Sequence, residues 1–327
     1  MSQYTINDSN NCLTTTNSFN KVWNSCTFAD DRSQLLTWLS PLEPSLRHFD
    51  IRDRRVNDIG EWLMQTEEFK RWCRYGGEGE GDNGVLFCYG NPGVGKTFIR
   101  YNKDYPPGEE RELVLTSCDG SSLVVDRLCE QAGGQTIALS YFYFDFVARK
   151  EQSAISMLGS LVKQMVRGME RIPEEVSRVF RELGGCRPKL VDIAKILQAI
   201  TFPQPTFICI DALDECEGVQ RDKILSLLKQ ILEKSPGTRI FVTGRPHIRS
   251  EIEKCLAGRV INVRVGAGKE DITTFLCARL GKDETSDAMD DSLEADILAK
   301  IPENISEMCV GAMMPQIPLL LSSDIYI

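Results

Sequence analysis

The chain has 327 residues, which is enough for one large buried core and, as a first expectation, about two to three domains. Hydrophobic residues make up 42% and charged residues 26% of the chain, which excludes a mostly disordered or fibrous protein. The 38 basic and 47 acidic residues give a net charge of -9. Because phosphate backbones are bound by clustered Lys and Arg, we expect no nucleic acid among the partners. The net charge does not exclude a small anion pocket built from backbone donors.

The cysteines and the apolar stretches indicate the compartment. No apolar stretch approaches the roughly 20 residues that cross a bilayer, so we expect no membrane span. The 12 Cys include no CxxC pair, and the chain has only 2 His, which disfavours a zinc site. Several Cys lie inside apolar runs, where they act as small hydrophobes. We therefore expect a reducing, cytoplasmic location.

The first quarter of the chain is predicted to be a polar leader followed by helices. Residues 1–32 are rich in Asn, Ser and Thr and are interpreted as a flexible leader. Residues 33–75 are interpreted as a helical amino-terminal cap, because apolar residues recur at helical spacing in 33–42 and 57–74. All four Trp fall in the first quarter of the chain, which predicts a small hydrophobic subdomain or a surface that packs against a bound base.

Beyond the Gly-rich, acidic linker 75–84, short apolar runs alternate with amphipathic segments. Continuous apolar strands separated by helices are typical of a parallel sheet covered on both faces. We therefore predict a three-layer α/β domain over 84–283 and a further helical start over 284–308. The predicted strands are 85–89, 137–144, 206–210, 239–243 and 260–265. The predicted helices are 152–168, 173–183, 189–200, 219–233, 246–256, 269–280 and 292–300.

The strongest motif directly follows the first of these strands. It matches G-x-x-x-x-G-K-[ST] and comprises Gly90, Asn91, Pro92, Gly93, Val94, Gly95, Lys96 and Thr97. Glycines allow the backbone to curl so that its N–H groups face phosphate oxygens. Lys96 can reach the β- and γ-phosphates, and the Thr97 hydroxyl can bind Mg²⁺. The motif predicts a site for a nucleoside triphosphate.

A second motif, FICIDALDE, ends another apolar strand with carboxylates. Asp211 lies at the carboxyl end, where open α/β sheets bind ligands, and is predicted to hold Mg²⁺. Either Asp214 or Glu215 could orient or deprotonate the attacking water, and the sequence does not choose between them. In the third motif, RIFVTGRP, Arg245 is predicted to contact the γ-phosphate from a neighbouring strand end.

Together, GNPGVGKT, ICIDALDE and FVTGRP resemble the NACHT group of signal-transduction NTPases, in particular the fungal type with a nephrocystin-like amino-terminal domain. The WLSPLEP segment and the pattern formed by Arg54, Gly60, Trp62 and Leu63 strengthen this resemblance. The resemblance implies a P-loop NTPase with five mostly parallel strands in the order 5-1-4-3-2. It also implies a switch in which nucleotide exchange couples to formation of a homo-oligomer through the NTPase domain.

Two segments depart from the family pattern. Residues 100–120 carry a Pro-Pro pair, and joining Ile99 directly to Ser121 would give one amphipathic helix, so 100–120 is interpreted as an insertion. The insertion either shortens the helix that supports the phosphate loop and impairs nucleotide affinity, or forms a surface excursion that leaves the loop intact. After about residue 308 the pattern stops. Residues 309–327 are interpreted as an irregular apolar tail of a product truncated before the winged-helix and repeat regions.

These motifs predict a nucleotide-binding signalling switch with slow, Mg²⁺-dependent hydrolysis of ATP or GTP to nucleoside diphosphate and phosphate. The alternative is a non-hydrolysing or truncated interaction module. A small-molecule kinase or a helicase is a weaker alternative, because the chain shows neither an acceptor-site signature nor a basic composition. ATP and GTP are not distinguished by the sequence.

Overall fold

The computed structural model describes residues 32–56, 59–74, 83–90, 118–132, 137–266, 269–280 and 291–304. The predicted leader, nearly all of the phosphate loop, most of the predicted insertion and the apolar tail lie outside these residues.

One sheet of five parallel strands organises the molecule, and its strand order is β2-β3-β4-β1-β5. The strands are β1 Val85–Tyr89, β2 Ala138–Tyr143, β3 Thr206–Asp211, β4 Thr238–Gly244 and β5 Val260–Arg264. All five predicted strands are confirmed, with ends that agree or differ by one residue. The order 5-1-4-3-2, expected from the family resemblance, is the same order read from the other edge.

Alternating strand residues fill two separate cores, one on each face of the sheet. Phe87, Ile208 and Val242 belong to the larger core, whereas Leu86, Cys209 and Phe241 belong to the smaller one. Side chains of neighbouring strand residues point to opposite faces, so a strand buried on both sides is apolar at most positions. This explains the continuous apolar runs and confirms the three-layer α/β fold.

The helices follow the strands in alternation. The structure has α1 over residues 32–39, α2 Pro44–Arg54, α3 Trp62–Gln65, α4 Glu67–Cys73, α5 Cys118–Ala132, α6 Ala154–Gly168, α7 Glu174–Glu182, α8 Leu190–Thr201, α9 Gly218–Lys234, α10 Arg249–Cys255, α11 Lys269–Leu280 and α12 Asp291–Asn304. Short 3₁₀ turns at Leu213–Glu215 and Pro246–Ile248 precede α9 and α10. Among the helices of the described residues, none combines the length and apolarity needed to cross a bilayer.

The amino-terminal helices differ from the sequence prediction in two ways. Helix α2 falls within the predicted helical cap 33–75, but no separate helix was predicted there. The helix predicted over 57–74 is divided into α3 and α4, because Thr66 has extended backbone and its hydroxyl accepts a hydrogen bond from the N–H of Phe69, which starts a new helix. Residues 57 and 58 lie outside the described part.

The tryptophans of this segment are divided between the two cores. Trp38 packs in the larger core and donates a hydrogen bond to the carbonyl of Cys186, whereas Trp72 is fully buried in the smaller core. The helices of the first quarter therefore cover both faces of the sheet. Trp62 packs against the smaller core from a partly buried position, and its indole N–H donates to the Asp271 carboxylate of α11 at 3.1 Å.

The segment 32–43 is held close against α6. Lys163 is buried and pairs with Glu43 at 2.6 Å, while its ammonium also donates to the carbonyl of Ser40 at 2.9 Å. A Cβ added at Gly159 would lie 2.2 Å from the carbonyl oxygen of Leu39. Only glycine therefore permits this approach of the two backbones.

We expect Gly159→Ala to lower the free energy of unfolding by about 1–3 kcal/mol, because the added methyl group must push the 32–43 segment away from α6. Chemical denaturation of the full chain measures this change. The matched control is Gly168→Ala at the end of the same helix, where an added Cβ meets nothing within 4 Å. Equal stabilities of the two variants would contradict the close approach.

Candidate functional site

The ends of three parallel strands bring the predicted functional residues to one edge of the sheet. Gly90 follows β1, Asp211 ends β3, and Arg245 follows β4. The register pairs Tyr89 with Gly244, and the N–H of Gly90 donates to the carbonyl of Gly244 at 3.4 Å. The beginning of the phosphate-loop motif is thus adjacent to the strand end that carries Arg245. Residues 91–97 of the motif lie outside the described residues.

Asp211 is the buried centre of this edge, with 2% of its surface exposed. Its Oδ1 accepts a hydrogen bond from the Thr243 hydroxyl at 2.7 Å and another from the Ser121 hydroxyl. Thr243 Oγ1 in turn accepts from the N–H of Ala212 at 2.9 Å. These contacts fix the orientation of the Asp211 carboxylate, which is therefore preorganised at the ligand-binding edge.

The chain turns sharply directly after Asp211. Ala212 has a φ of 53° and a ψ of 45°, the left-handed conformation that costs a non-glycine residue about 1–2 kcal/mol. The hydrogen bond from its N–H to Thr243 helps to hold this conformation, and the 3₁₀ turn Leu213–Glu215 follows. Backbone strain of this kind clusters at functional sites. Here it returns Asp214 and Glu215 to the same edge as Asp211.

Asp214 is bound to Arg245. Its Oδ1 accepts from the backbone N–H of Arg245 and its Oδ2 pairs with the Arg245 Nε, both at 3.1 Å. The Asp214 side chain is only 6% exposed, whereas the Arg245 side chain is 47% exposed. Asp214 therefore holds the base of an arginine whose outer part reaches solvent.

Glu215 lies on the other side of the turn and contacts a different element. Its Oε2 accepts a hydrogen bond from the N–H of Phe146, at 2.9 Å, in the loop that follows β2. Burial raises the pKa of the Glu215 carboxyl to about 7, and the nearby Asp214 and Asp211 carboxylates add to the rise. The Phe146 N–H and Arg245 oppose this rise. A partly buried carboxyl group with a pKa near neutrality can exchange a proton with water at physiological pH.

Sequence reasoning missed two hydroxyl residues of this site, Ser121 and Thr243. Thr243 is the residue before Gly244-Arg245, and its position at a strand end beside β3 was a usable signal, since parallel strands end at a common edge. Ser121 comes from α5, 90 positions away from Asp211 in the sequence. Nothing in its local sequence separates it from the adjacent Ser122.

A cation site at this edge would be built around one carboxylate. Among the described residues, no group of three or more His, Cys, Asp or Glu side chains could hold a metal ion. A single buried carboxylate beside two hydroxyls suits Mg²⁺, which keeps several waters and binds through one or two carboxylates together with substrate phosphates. The residues present therefore fit Mg²⁺ bound with a nucleotide.

Comparison with protein families shows which family this chain resembles. The family described as Nephrocystin 3, N-terminal matches residues 58–101 and 120–245, together just over half of the chain. The match spans the phosphate-loop motif, Asp211 and Arg245. None of the curated proteins matches the sequence of this chain.

Two solved structures are similar in fold. The Aeropyrum pernix ORC1 protein in complex with DNA has 15% identity and a TM-score of 0.37, covering 77% of this chain and 53% of that chain. Drosophila ORC bound to DNA has 13% identity and a TM-score of 0.39, covering 85% of this chain and 57% of that chain. This chain thus spans little more than half of either protein.

These two structures correct one expectation. The prediction that nucleic acid is no partner is corrected: both of these structures hold DNA, and the net charge of this chain does not by itself exclude that class of partner. Contacts to phosphates depend on where Lys and Arg are clustered, and the summed charge of a chain does not report that distribution.

Proposed function

This chain belongs to the Nephrocystin 3, N-terminal family and has a P-loop NTPase-like fold, and we propose that it is a nucleotide-dependent switch that hydrolyses ATP or GTP slowly with Mg²⁺. The observation that carries the proposal is the shared strand edge. There, the buried Asp211, the Asp214–Arg245 pair and Glu215 lie on the same edge of the sheet as the strand end from which the phosphate-loop motif starts.

The phosphates are assigned to the loop that begins at Gly90. Its backbone N–H groups and the Lys96 ammonium would hold the β- and γ-phosphates, since successive backbone amides form an anion-binding concavity. Thr97 and Asp211 would hold Mg²⁺, which neutralises phosphate charge when bound. Thr243 and Ser121 orient Asp211 for that role.

The two acidic residues of the 3₁₀ turn receive different roles. Both Asp214 oxygens already contact Arg245, so we assign Asp214 to holding that arginine. Arg245, with half of its side chain exposed, is assigned to the γ-phosphate, where it would stabilise charge that develops during transfer. Glu215, whose pKa lies near neutrality, is assigned to the attacking water as general base.

Within the P-loop NTPases we assign the chain to the NACHT group of signalling proteins. This assignment includes the division into an amino-terminal helical segment, an NTPase domain and a following helical region. The motifs GNPGVGKT and FVTGRP support it together with the family match. Slow turnover suits a switch, because product release rather than chemistry then sets its timing.

A non-hydrolysing interaction module is the second candidate, and one observation favours it. The two matched segments of the family stop at residue 101 and resume at residue 120, which supports the proposal that an insertion separates the phosphate loop from α5. The helix that follows a phosphate loop contributes the positive end of its dipole. An insertion there could weaken nucleotide binding without unfolding the sheet.

Binding of labelled ATP and GTP to the full chain with Mg²⁺ tests the proposal. We expect Lys96→Ala to weaken affinity about ten- to a hundredfold, the loss of a charge-assisted contact worth about 1.5–3 kcal/mol. The control is Lys70→Ala, which removes an exposed Lys–Glu pair on α4. Native mass spectrometry of the bound chain identifies the base. Unaltered affinity in Lys96→Ala would reject the phosphate site.

A further inference from the structure

We propose that the backbone N–H of Phe146 is a positioning group for Glu215, so that the loop after β2 sets the geometry of the general base. The inference rests on the proposed function and deepens it. Phe146 donates to Glu215 Oε2 at 2.9 Å from a position 69 residues away in the sequence.

The loop is held by its own hydrogen bonds in a shape that directs this N–H at Glu215. The Asp145 N–H donates to Gln152 Oε1 at 3.0 Å, and the Asp145 carboxylate accepts from the N–H of Val147 at 2.9 Å. The N–H of Ala148 donates to the carbonyl of Asp145 at 3.1 Å. The loop is therefore a compact turn rather than an open connection.

The segment 144–146 also contacts β3, the strand that ends in Asp211, the proposed Mg²⁺ ligand. The N–H of Phe144 donates to the carbonyl of Asp211 at 3.1 Å, and Tyr143 is paired with Asp211 in the sheet. Residues 144 and 146 thus donate from alternate positions to the backbone of Asp211 and to the side chain of Glu215. This arrangement fixes Glu215 relative to Asp211.

The Phe146 contribution comes from the backbone and not from the ring. The side chain is 61% exposed, and the Arg149 guanidinium lies 4.9 Å from the ring centroid. Any residue that has an N–H could therefore replace phenylalanine in this role. Proline is the one standard residue that lacks the donor.

A carboxylate that accepts a proton from water uses one oxygen, and the other oxygen can anchor it. The Phe146 N–H binds Oε2, which leaves Oε1 for the water proton. Anchoring matters because a displacement of about 1 Å can reduce a catalytic rate by about a hundredfold. The N–H thus positions the base without touching the substrate.

Steady-state hydrolysis by the full chain tests this role. We expect Phe146→Pro to lower kcat about ten- to a hundredfold with little change in KM, because the base is displaced while the phosphate site stays intact. Phe146→Leu keeps the N–H and should retain the wild-type kcat. Lys150→Pro introduces proline four positions further along the same loop, away from Glu215. This variant controls for the presence of a proline in the loop.

A double variant separates positioning from general damage. In a Glu215→Gln background, adding Phe146→Pro should cause little further loss, since two residues that act as a unit are not additive. A full additional loss, or a wild-type kcat in Phe146→Pro, would overturn the inference.

Amide hydrogen exchange tests the contact without any activity. We expect the Phe146 amide to exchange about tenfold faster or more in Glu215→Ala than in the wild-type chain, because its acceptor is removed. If the wild-type chain releases no phosphate but this difference is found, the proposed function fails and the contact stands. Identical exchange in both chains would reject the contact itself.

Discussion

Replacing Glu215 by Gln will lower the rate of nucleotide hydrolysis by about 100- to 10,000-fold, the contribution usual for a general base, and will leave nucleotide affinity nearly unchanged. Gln has the same shape and can still accept the hydrogen bond from the Phe146 N–H, but it cannot take a proton from water. Phosphate release and equilibrium binding, measured on the same preparations, separate the two effects.

The pH dependence gives this prediction a second readout. Burial raises the pKa of Glu215 to about 7 in the nucleotide-free chain. The basic form of Glu215 is therefore lost as pH falls below about 7, and kcat/KM should fall roughly tenfold per pH unit there, because this ratio reports ionisations of the free enzyme. The acidic limb should disappear in Glu215→Gln.

The matched control is Asp214→Asn in the same 3₁₀ turn. The amide side chain of this variant would keep an acceptor for the Arg245 N–H and lose the charge that pairs with the guanidinium. We expect a smaller loss of rate than in Glu215→Gln and an acidic limb that persists. If Asp214→Asn removes hydrolysis and Glu215→Gln does not, the two roles are reversed.

Replacing Arg239 by Met will lower the free energy of unfolding by about 2–5 kcal/mol, because several buried carbonyl groups lose their donor at once. Arg239 is 9% exposed, and its guanidinium donates to the carbonyls of Trp72, Arg74, Pro236 and Thr238 at 3.1–3.2 Å. It joins the end of α4 to β4, so its loss should loosen the amino-terminal helices from the sheet.

Denaturant unfolding monitored by Trp fluorescence measures this effect, since Trp72 lies beside the contact. The control is Arg127→Met, which removes an exposed pair with Glu130 on α5 and should change stability by less than about 1 kcal/mol. A stability loss for Arg239→Met no larger than that of the control would contradict the bridging role of Arg239.

The sheet could be predicted because short, continuous apolar runs are typical of strands that are buried on both faces. Strand β3, for example, is buried at all six positions and contains an uninterrupted apolar run from Phe207 to Ile210. The strand order could not be deduced from such runs and came from family resemblance. Helix α2 was not predicted as a separate helix because its buried residues include His48, a polar residue whose ring nitrogens form hydrogen bonds with Tyr143 and Asp126.

For the site, the residue types were predictable and the pairings were not. Asp211, Asp214, Glu215 and Arg245 lie at one edge, as strand ends of a parallel sheet require. Which acidic residue binds Arg245 depends on a left-handed Ala212, and a local pattern gives no sign of that conformation. The contacts of Ser121 and Phe146 join distant parts of the chain, so they appear only once the fold is known.

Two neighbouring serines at the start of α5 attach this helix to two different parts of the molecule. Ser121 binds Asp211, while its neighbour Ser122 accepts from Arg55 at 3.0 Å, just beyond the end of α2. Consecutive helical residues point about 100° apart, so one rigid turn spans both attachments. The two hydrogen bonds therefore fix the rotation of α5 about its own axis. The orientation of the Asp211 carboxylate and the attachment of the end of α2 depend on that one rotational setting.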